Sequence, residues 1–316
     1  MVKRLSPRHG SLQFWPRKRS KSLLARVRNW VKPKDVKLSG FMGYKVGMTH
    51  MTGVEEVGKK IVNYSFPVTI IECPPLKILS ARFYNKSSLV SEVLAPKLDE
   101  ELKRKLTIPK SNSKKIDDFS KDFTEVRLVM YSQPKKTSLG KKKPELFEIA
   151  LGGNKDDQFS WVKENFDKEF SVNDIFDENT LVDVHAVTKG KGFQGVVKRF
   201  GVRLKAKKSE KGQRAVGARS GGWTSQAHMM WRVPQAGKMG YHTRTDYNKA
   251  VMKISDDLES INPQNGYRGY GKVKNSYILL RGSVPGNVKR PVKLSFPVRP
   301  NKKLINPKIK VEKVVL

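Results

Sequence analysis

Between Leu181 and Asn248 a short apolar strand runs straight into a long stretch with almost nothing to bury, and this limits what the chain can fold into. Leu181-Val182-Asp183-Val184-His185-Ala186-Val187 alternates and reads as a buried strand. Thr188-Lys189-Gly190-Lys191-Gly192-Phe193-Gln194-Gly195 follows, and then an excursion from Lys205 to Gly222 made largely of Lys, Arg, Gly and Ser. It turns at Gly221-Gly222-Trp223 and returns through His228-Met229-Met230-Trp231-Arg232 to Gly237-Lys238-Met239-Gly240-Tyr241-His242-Thr243-Arg244-Thr245. Between Ala186 and Ala250, 15 Lys and Arg stand against two acids, Glu210 and Asp246. Self-repulsion keeps such a loop from settling in water, so its ordered state needs an anionic partner.

The whole chain points the same way. Its 316 residues carry a formal net charge of +35, which narrows the partners to nucleic acids or anionic membranes. No apolar run approaches the roughly 18 to 20 residues of a membrane span, and the basic N-terminus lacks the apolar core of a signal peptide. A soluble, non-secreted protein is expected. A single cysteine, Cys73, excludes an internal disulfide and a Cys-based metal cluster, as suits a reducing cytoplasm.

Charge also divides the chain. Met1 to Lys37 holds 12 basic residues and one acid, Val93 to Asp183 holds 17 basic and 18 acidic, and Tyr267 to the end holds 13 basic and one acid. A neutral block between basic flanks predicts a solvent-facing insertion in a protein whose other surfaces meet polyanion. The first segment, with Phe14-Trp15-Pro16-Arg17-Lys18-Arg19-Ser20-Lys21, keeps neither apolar period and reads as an extended arm. Its aromatics stand between cations, a mixture suited to single-stranded or looped RNA.

From Leu38 the pattern becomes globular. Phe41 to Thr49 carries glycines where a strand bends or another backbone approaches closely. Pro67 to Cys73 and Leu76 to Tyr84 read as strands around Pro74-Pro75, with Cys73 an inert buried thiol. In the neutral block, Leu94, Leu98, Leu102 and Leu106 predict one helix; Asp156 and Asp157 start a second, with Phe159, Val162, Phe166 and Phe170 on one face. Strands are expected at Glu125 to Tyr131 and Leu146 to Leu151, so the block reads as an α/β unit. Gly271 to Leu280, with Val273, Asn275, Tyr277 and Leu279 on one side, and Val292 to Phe296 read as closing strands. The expected fold is mainly β, a barrel with an α+β insertion. Its parts are an arm (1–37), the first part of the barrel (38–92), the inserted α/β subdomain (93–180) and the second part (181–316), with a finger loop at about 201–248.

Motifs for chemistry are few. Gly190-Lys191-Gly192-Phe193-Gln194-Gly195 fits a dinucleotide fingerprint, but Val196 to Gly201 is too short for the helix that would hold a pyrophosphate. The glycine-rich turn instead lets backbone, Lys189, Lys191 and Lys198 approach phosphates. His228 and His242 lack the companions of a metal site, and Asp183 reads as a strand anchor rather than a base. Trp223 either packs on the base of its own loop or inserts into a partner that supplies its burial.

These segments together resemble the universal large-subunit ribosomal protein L-three family over nearly the whole chain. The resemblance is carried by Pro7-Arg8-His9-Gly10-Ser11-Leu12 with Pro16-Arg17-Lys18-Arg19, by Gly43-Tyr44-Lys45-Val46-Gly47-Met48-Thr49, by Ala186 to Val196, by Gly237 to Thr245 and by Gly282-Ser283-Val284-Pro285-Gly286. The insertion and short C-terminus are similar to the archaeal branch. The resemblance implies a translation-factor-type β-barrel, an N-terminal arm, and a central finger reaching toward the peptidyl transferase centre with Trp223 at its tip. Thr224-Ser225-Gln226 stand where the family usually has His-Pro, which removes a fixed backbone angle.

The expectation is therefore a structural constituent of the large ribosomal subunit that binds and organises its rRNA early in assembly. The rRNA-facing residues expected are Arg8, His9, Trp15, Arg17, Lys18, Arg19, Lys21, Lys189, Lys191, Lys198, Arg199, Lys207, Lys208, Lys211, Arg214, Arg219, Trp223, His228, Trp231, Arg232, Lys238, His242 and Arg244, with Gly221, Gly222 and Trp223 at the fingertip. The partners expected are large-subunit rRNA and neighbouring ribosomal proteins. No membrane, small-molecule substrate, cofactor, metal or catalytic residue enters this account. The rivals are an RNA-modifying enzyme with a basic docking surface, which needs a cofactor pocket and a competent acid or base, and a chromatin-like DNA binder, which prefers duplex DNA.

Overall fold

Strands dominate, as β-branched and aromatic alternation predicts. The computed structural model describes residues 14–57, 60–86, 88–109, 116, 123–206, 208, 231, 233–304 and 310–315. In chain order the strands are β1 (Gly40–Val57), β2 (Lys60–Glu72), β3 (Leu76–Asn85), β4 (Ser88–Leu94), β5 (Glu125–Ser132), β6 (Leu146–Ala150) and β7 (Glu169–Phe170). They continue with β8 (Leu181–Val187), β9 (Phe193–Gln194), β10 (Gly237–Lys238), β11 (Thr243–Ser255), β12 (Tyr277–Arg281), β13 (Pro291–Ser295) and β14 (Lys310–Val315). Helix α1 spans Lys155–Asn165 and α2 spans Val196–Phe200. The chain divides into a larger unit, Ser22–Val187 with Arg244–Leu316, and a smaller one, Met1–Lys21 with Thr188–Thr243.

Within the larger unit, pairings run β13, β8, β11, β12, β2, β1 and return from β1 to β13, so each of the six strands has a partner on both sides. Strand β14 adds to β1 farther along, His50 opposite Val315. Every residue of β8 is buried, the outcome its apolar run predicts. Its one acid is an anchor: Asp183 accepts hydrogen bonds from the Asn248 amide at 2.8 Å and the Val298 amide at 3.0 Å. Strand β1 reaches 18 residues by bending, with register shifts at Lys45/Gly47 and Thr52/Gly53. At Gly43 a Cβ would stand 2.5 Å from Ile71 Cγ2 and 2.7 Å from the Glu72 carbonyl, so only glycine admits this approach.

The pairing changes at Cys73-Pro74-Pro75. Residues on either side do not form a hairpin: β2 pairs with β1 and β12, whereas β3 joins a second, antiparallel sheet ordered β4, β3, β5, β6, with β7 also on β3. Two successive prolines remove the donors that a continuing ladder needs. The second sheet thus begins at Leu76, whereas the insertion was expected to open at Val93. The Cys73 thiol is buried and its pKa is pushed up by that burial, as an inert core cysteine requires.

Three local expectations are corrected. The leucine stripe does not make one helix: Leu94 ends β4, and only Glu100–Arg104 turns, as a 3-10 helix that seats Leu102 against Leu79, Val129 and Tyr131. Pro96 lies between them and disfavours helical backbone at Ala95. The neutral block is accordingly antiparallel sheet with α1 laid on it rather than an alternation of strands and helices. Gly271 to Ser276 is not strand either, since β12 starts only at Tyr277. There the amides of Lys274 and Asn275 donate to the buried Glu72 carboxylate at 2.9 and 3.1 Å instead of to a ladder.

Helix α1 carries Asp156 and Asp157 in its first turn, beside the positive end of its dipole, while Asn154 is the N-cap residue and makes no side-chain cap bond. Gln158 clamps it to the sheet, donating to the carbonyls of Leu151, Gly152 and Gly153 at 3.1 to 3.2 Å and accepting from the Val126 amide at 3.0 Å. One apolar core runs through the larger unit, from Tyr44, Ile70 and Leu279 to Phe83, Leu128 and Val162.

Candidate nucleic-acid interface

The smaller unit concentrates charge of one sign. Residues 1–21 hold seven Lys and Arg, and residues 188–243 hold thirteen, against one acid, Glu210. In and beside the neutral block, by contrast, cations meet carboxylates: Lys77 pairs with Asp99 and Glu169, Lys136 with Glu169, Lys135 with Glu101 and Lys105 with Glu145.

A backbone ladder gives the smaller unit its frame. Strand β9 pairs with β10, Gln194 opposite Gly237 and Phe193 opposite Lys238. Around them the Lys191 amide donates to the Met239 carbonyl at 2.9 Å, Met239 to Gly192 at 2.9 Å, Tyr241 to Lys189 at 3.2 Å and Thr188 to His242 at 2.9 Å. Gly240 is required here: its φ is +77° and a Cβ would lie 2.0 Å from the Lys189 carbonyl oxygen. Helix α2 follows β9 and has only five residues, too few for the dinucleotide reading.

On this frame the arm residues dock through rings and cations. Trp15 stacks on Phe200 with centroids 6.2 Å apart and meets Trp231 edge-on at 5.2 Å. The Arg17 guanidinium lies 4.2 Å from the Phe200 ring centre and 5.2 Å from that of Trp15, and Nη1 donates to the Arg199 carbonyl. Arg199 braces the return strand, donating to the carbonyls of Gln235 at 2.8 Å and Lys238 at 3.2 Å. Partial burial holds its pKa below the usual arginine range. Arg19 sits 5.3 Å from the Tyr241 ring centre, and the Ser20 amide donates to the Tyr241 carbonyl. His242 is buried; its Nδ1 donates to the Lys18 carbonyl at 2.7 Å, which fixes the proton on that nitrogen. The described end of the arm is therefore held by protein contacts, where charge alone had predicted order only with an anionic partner.

What this leaves on the surface is a set of cations. Lys18, Arg19, Lys21, Lys189, Lys191, Lys198, Lys208 and Lys238 are exposed. Among the described residues no carboxylate stands within this unit to pair with them. Trp231 is 58% exposed. Arg244 lies instead on β11 of the larger unit, half-buried. Arg8, His9, Lys207, Lys211, Arg214, Arg219, Gly221, Gly222, Trp223, His228 and Arg232 fall outside the described residues.

Comparison with known proteins decides what kind of chain bears this unit. Residues 1–125 and 109–315 match the family model for Ribosomal protein L3. The chain belongs to that family. It is 43% identical to the Large ribosomal subunit protein uL3 of Methanobrevibacter smithii over 321 residues, covering 96% of this chain and 95% of that protein. The uL3 protein of Archaeoglobus fulgidus is 41% identical over 311 residues, with 94% and 93% covered. That of Methanocaldococcus jannaschii is 41% identical over 315 residues, with 95% and 93% covered. The archaeal likeness expected from the insertion and the short C-terminus is thus shown.

Two residues central to the unit were missed from the sequence of this L3-family chain. Phe200 is the ring on which Trp15 and Arg17 converge, and Tyr241 receives Arg19. The signal present was the ring of Trp15 set among the cations Arg17 and Arg19, groups that rings attract.

Proposed function

We infer that this chain is a structural constituent of the large ribosomal subunit, where it binds and organises large-subunit rRNA. The observation that carries this is full-length similarity to archaeal large-subunit proteins of the L3 family. Membership in that family makes it a ribosomal protein and not an RNA-modifying enzyme. The cationic unit agrees with the reading, because exposed lysines held on a fixed ladder neutralise phosphates that would otherwise repel one another.

Finer elements of the proposal rest on separate supports. A translation-factor-type barrel is supported by strand pairings that return from β1 to β13, and an α+β insertion by the second sheet with α1. We propose the insertion at 93–180, with its sheet beginning earlier at β3, between an arm with the first barrel part and a second barrel part that carries the finger at about 201–248. The rRNA contacts proposed are the exposed cations Lys18, Arg19, Lys21, Lys189, Lys191, Lys198, Lys208 and Lys238, with Trp231 as a stacking face. Arg17, Arg199 and His242 shape the surface that carries them. The fingertip Gly221-Gly222-Trp223 is proposed to approach the peptidyl transferase centre, and the chain to join the subunit early and to meet neighbouring ribosomal proteins.

Binding of the purified full chain to a large-subunit rRNA transcript tests the reading. Affinity is expected to fall by orders of magnitude between about 50 and 200 mM salt, as counterion release demands. A flat salt response, or preference for duplex DNA over the transcript, would overturn it.

A further inference from the structure

Phe193 is the most exposed large apolar side chain among the described residues, at 73%. Its exposure is not that of a loose loop. The residue sits on β9 opposite Lys238, and the chain on either side is tied down: the Lys191 amide donates to Met239, Met239 donates to Gly192, and the Gln194 side chain closes back on the Lys191 carbonyl at 2.6 Å. Seven positions on, Phe200 shows what an internally satisfied ring looks like here, being buried under Trp15, Arg17 and Arg199. No ring or cation of the described residues lies on Phe193.

The neighbours of that ring say what would cover it. Lys238 is directly across the ribbon, Lys191 is two residues earlier, and both are exposed in a unit whose sole acid is Glu210. An apolar protein surface would bury the ring and leave both lysines unneutralised. An acidic protein surface would neutralise them and would need an apolar centre of its own for the ring. An unpaired nucleotide supplies both, a base for the ring and phosphates on either side for the cations. We propose that Phe193 is the stacking platform for one unpaired base of large-subunit rRNA, with Lys191 and Lys238 on the flanking phosphates. The proposal rests on the rRNA reading above and assigns it a base-binding position.

Salt separates the two contributions, since stacking releases no counterions and phosphate contacts do. Phe193→Leu keeps an apolar side chain and removes the aromatic face; affinity of the full chain for the rRNA transcript is expected to drop roughly 5- to 100-fold with the slope of log affinity against log salt unchanged. Phe193→Tyr restores binding. Lys191→Ala with Lys238→Ala should make the slope shallower by about one to two. A photoreactive phenylalanine at 193 in the assembled subunit should crosslink to a nucleobase. If wild-type binds and Phe193→Leu binds equally well, or the crosslink goes to a protein, the stacking proposal falls and the rRNA reading stands. If wild-type itself shows no affinity for the transcript, both fall.

Discussion

His185 shows how a single polar residue is carried in a strand whose every position is buried. Its ring nitrogens meet the hydroxyls of Thr245 at 2.9 Å and Ser295 at 3.0 Å, and Lys293 stands directly across the ladder. Burial pulls its pKa down to about 4; the nearby Asp183 works against this, and the nearby Lys293 adds to it. The unfolded chain takes up a proton near 6.5, so stability from the neutral ring is whole above that pH and is lost as pH falls toward about 4. The loss is on the order of 3 kcal/mol. An NMR titration of the His185 ring in the folded chain should give a midpoint near 4, and a midpoint at 6.5 or above would contradict the placement. Glu72 is a second buried polar device. It accepts from the Lys274 and Asn275 amides, the Asn275 side chain and the Tyr270 hydroxyl, so Glu72→Ala removes the acceptor of four hydrogen bonds. A loss of about 3 kcal/mol or more is expected in denaturant unfolding, against less than 1 kcal/mol if the carboxylate is incidental.

Elements divide into those that apolar pattern fixes and those that particular side chains override. β8 was legible because seven residues alternate or run apolar with nothing to break them, and α1 because acids open it and Val162 and Phe166 are buried, although Phe170, expected on the same helical face, lies on β7. The leucine stripe misled because periodicity ignores Pro96, and the strand expected from Gly271 misled because a carboxylate 202 and 203 positions before Lys274 and Asn275 captures their amides. No local pattern reports a partner that distant. In the smaller unit, arm cations were legible as charge but not as braces, since whether Arg17 meets a phosphate or Phe200 depends on where the ladder puts α2. That ladder hangs on Gly240. Gly240→Ala must move the Lys189 carbonyl and open the pairing of β9 with β10, so amides of Lys191 and Met239 should lose protection from hydrogen exchange while those of β8 keep theirs. Unchanged protection at Lys191 and Met239 would mean the close approach is not enforced.

At the scale of the molecule, two charge regimes coexist in one chain. Among the described residues, cations and carboxylates of the neutral block meet in ion pairs, individually worth little in water, some within the block and some with Lys32 and Lys77 beside it. The smaller unit has twenty basic residues to one acid, and meeting a polyanion lowers its self-repulsion. Membership in the L3 family points to large-subunit rRNA as that polyanion, and the face proposed to meet it is the one that carries the exposed lysines of the β9–β10 frame. The most direct measurement of that claim is where the chain travels when a cell extract of its source is separated by sedimentation. It is predicted to run wholly with the large ribosomal subunit, to stay there when the subunits are dissociated from each other, and to move to the top of the gradient after ribonuclease digestion. A chain that stays at the top before any digestion, or that keeps its position after the rRNA is destroyed, would contradict the account.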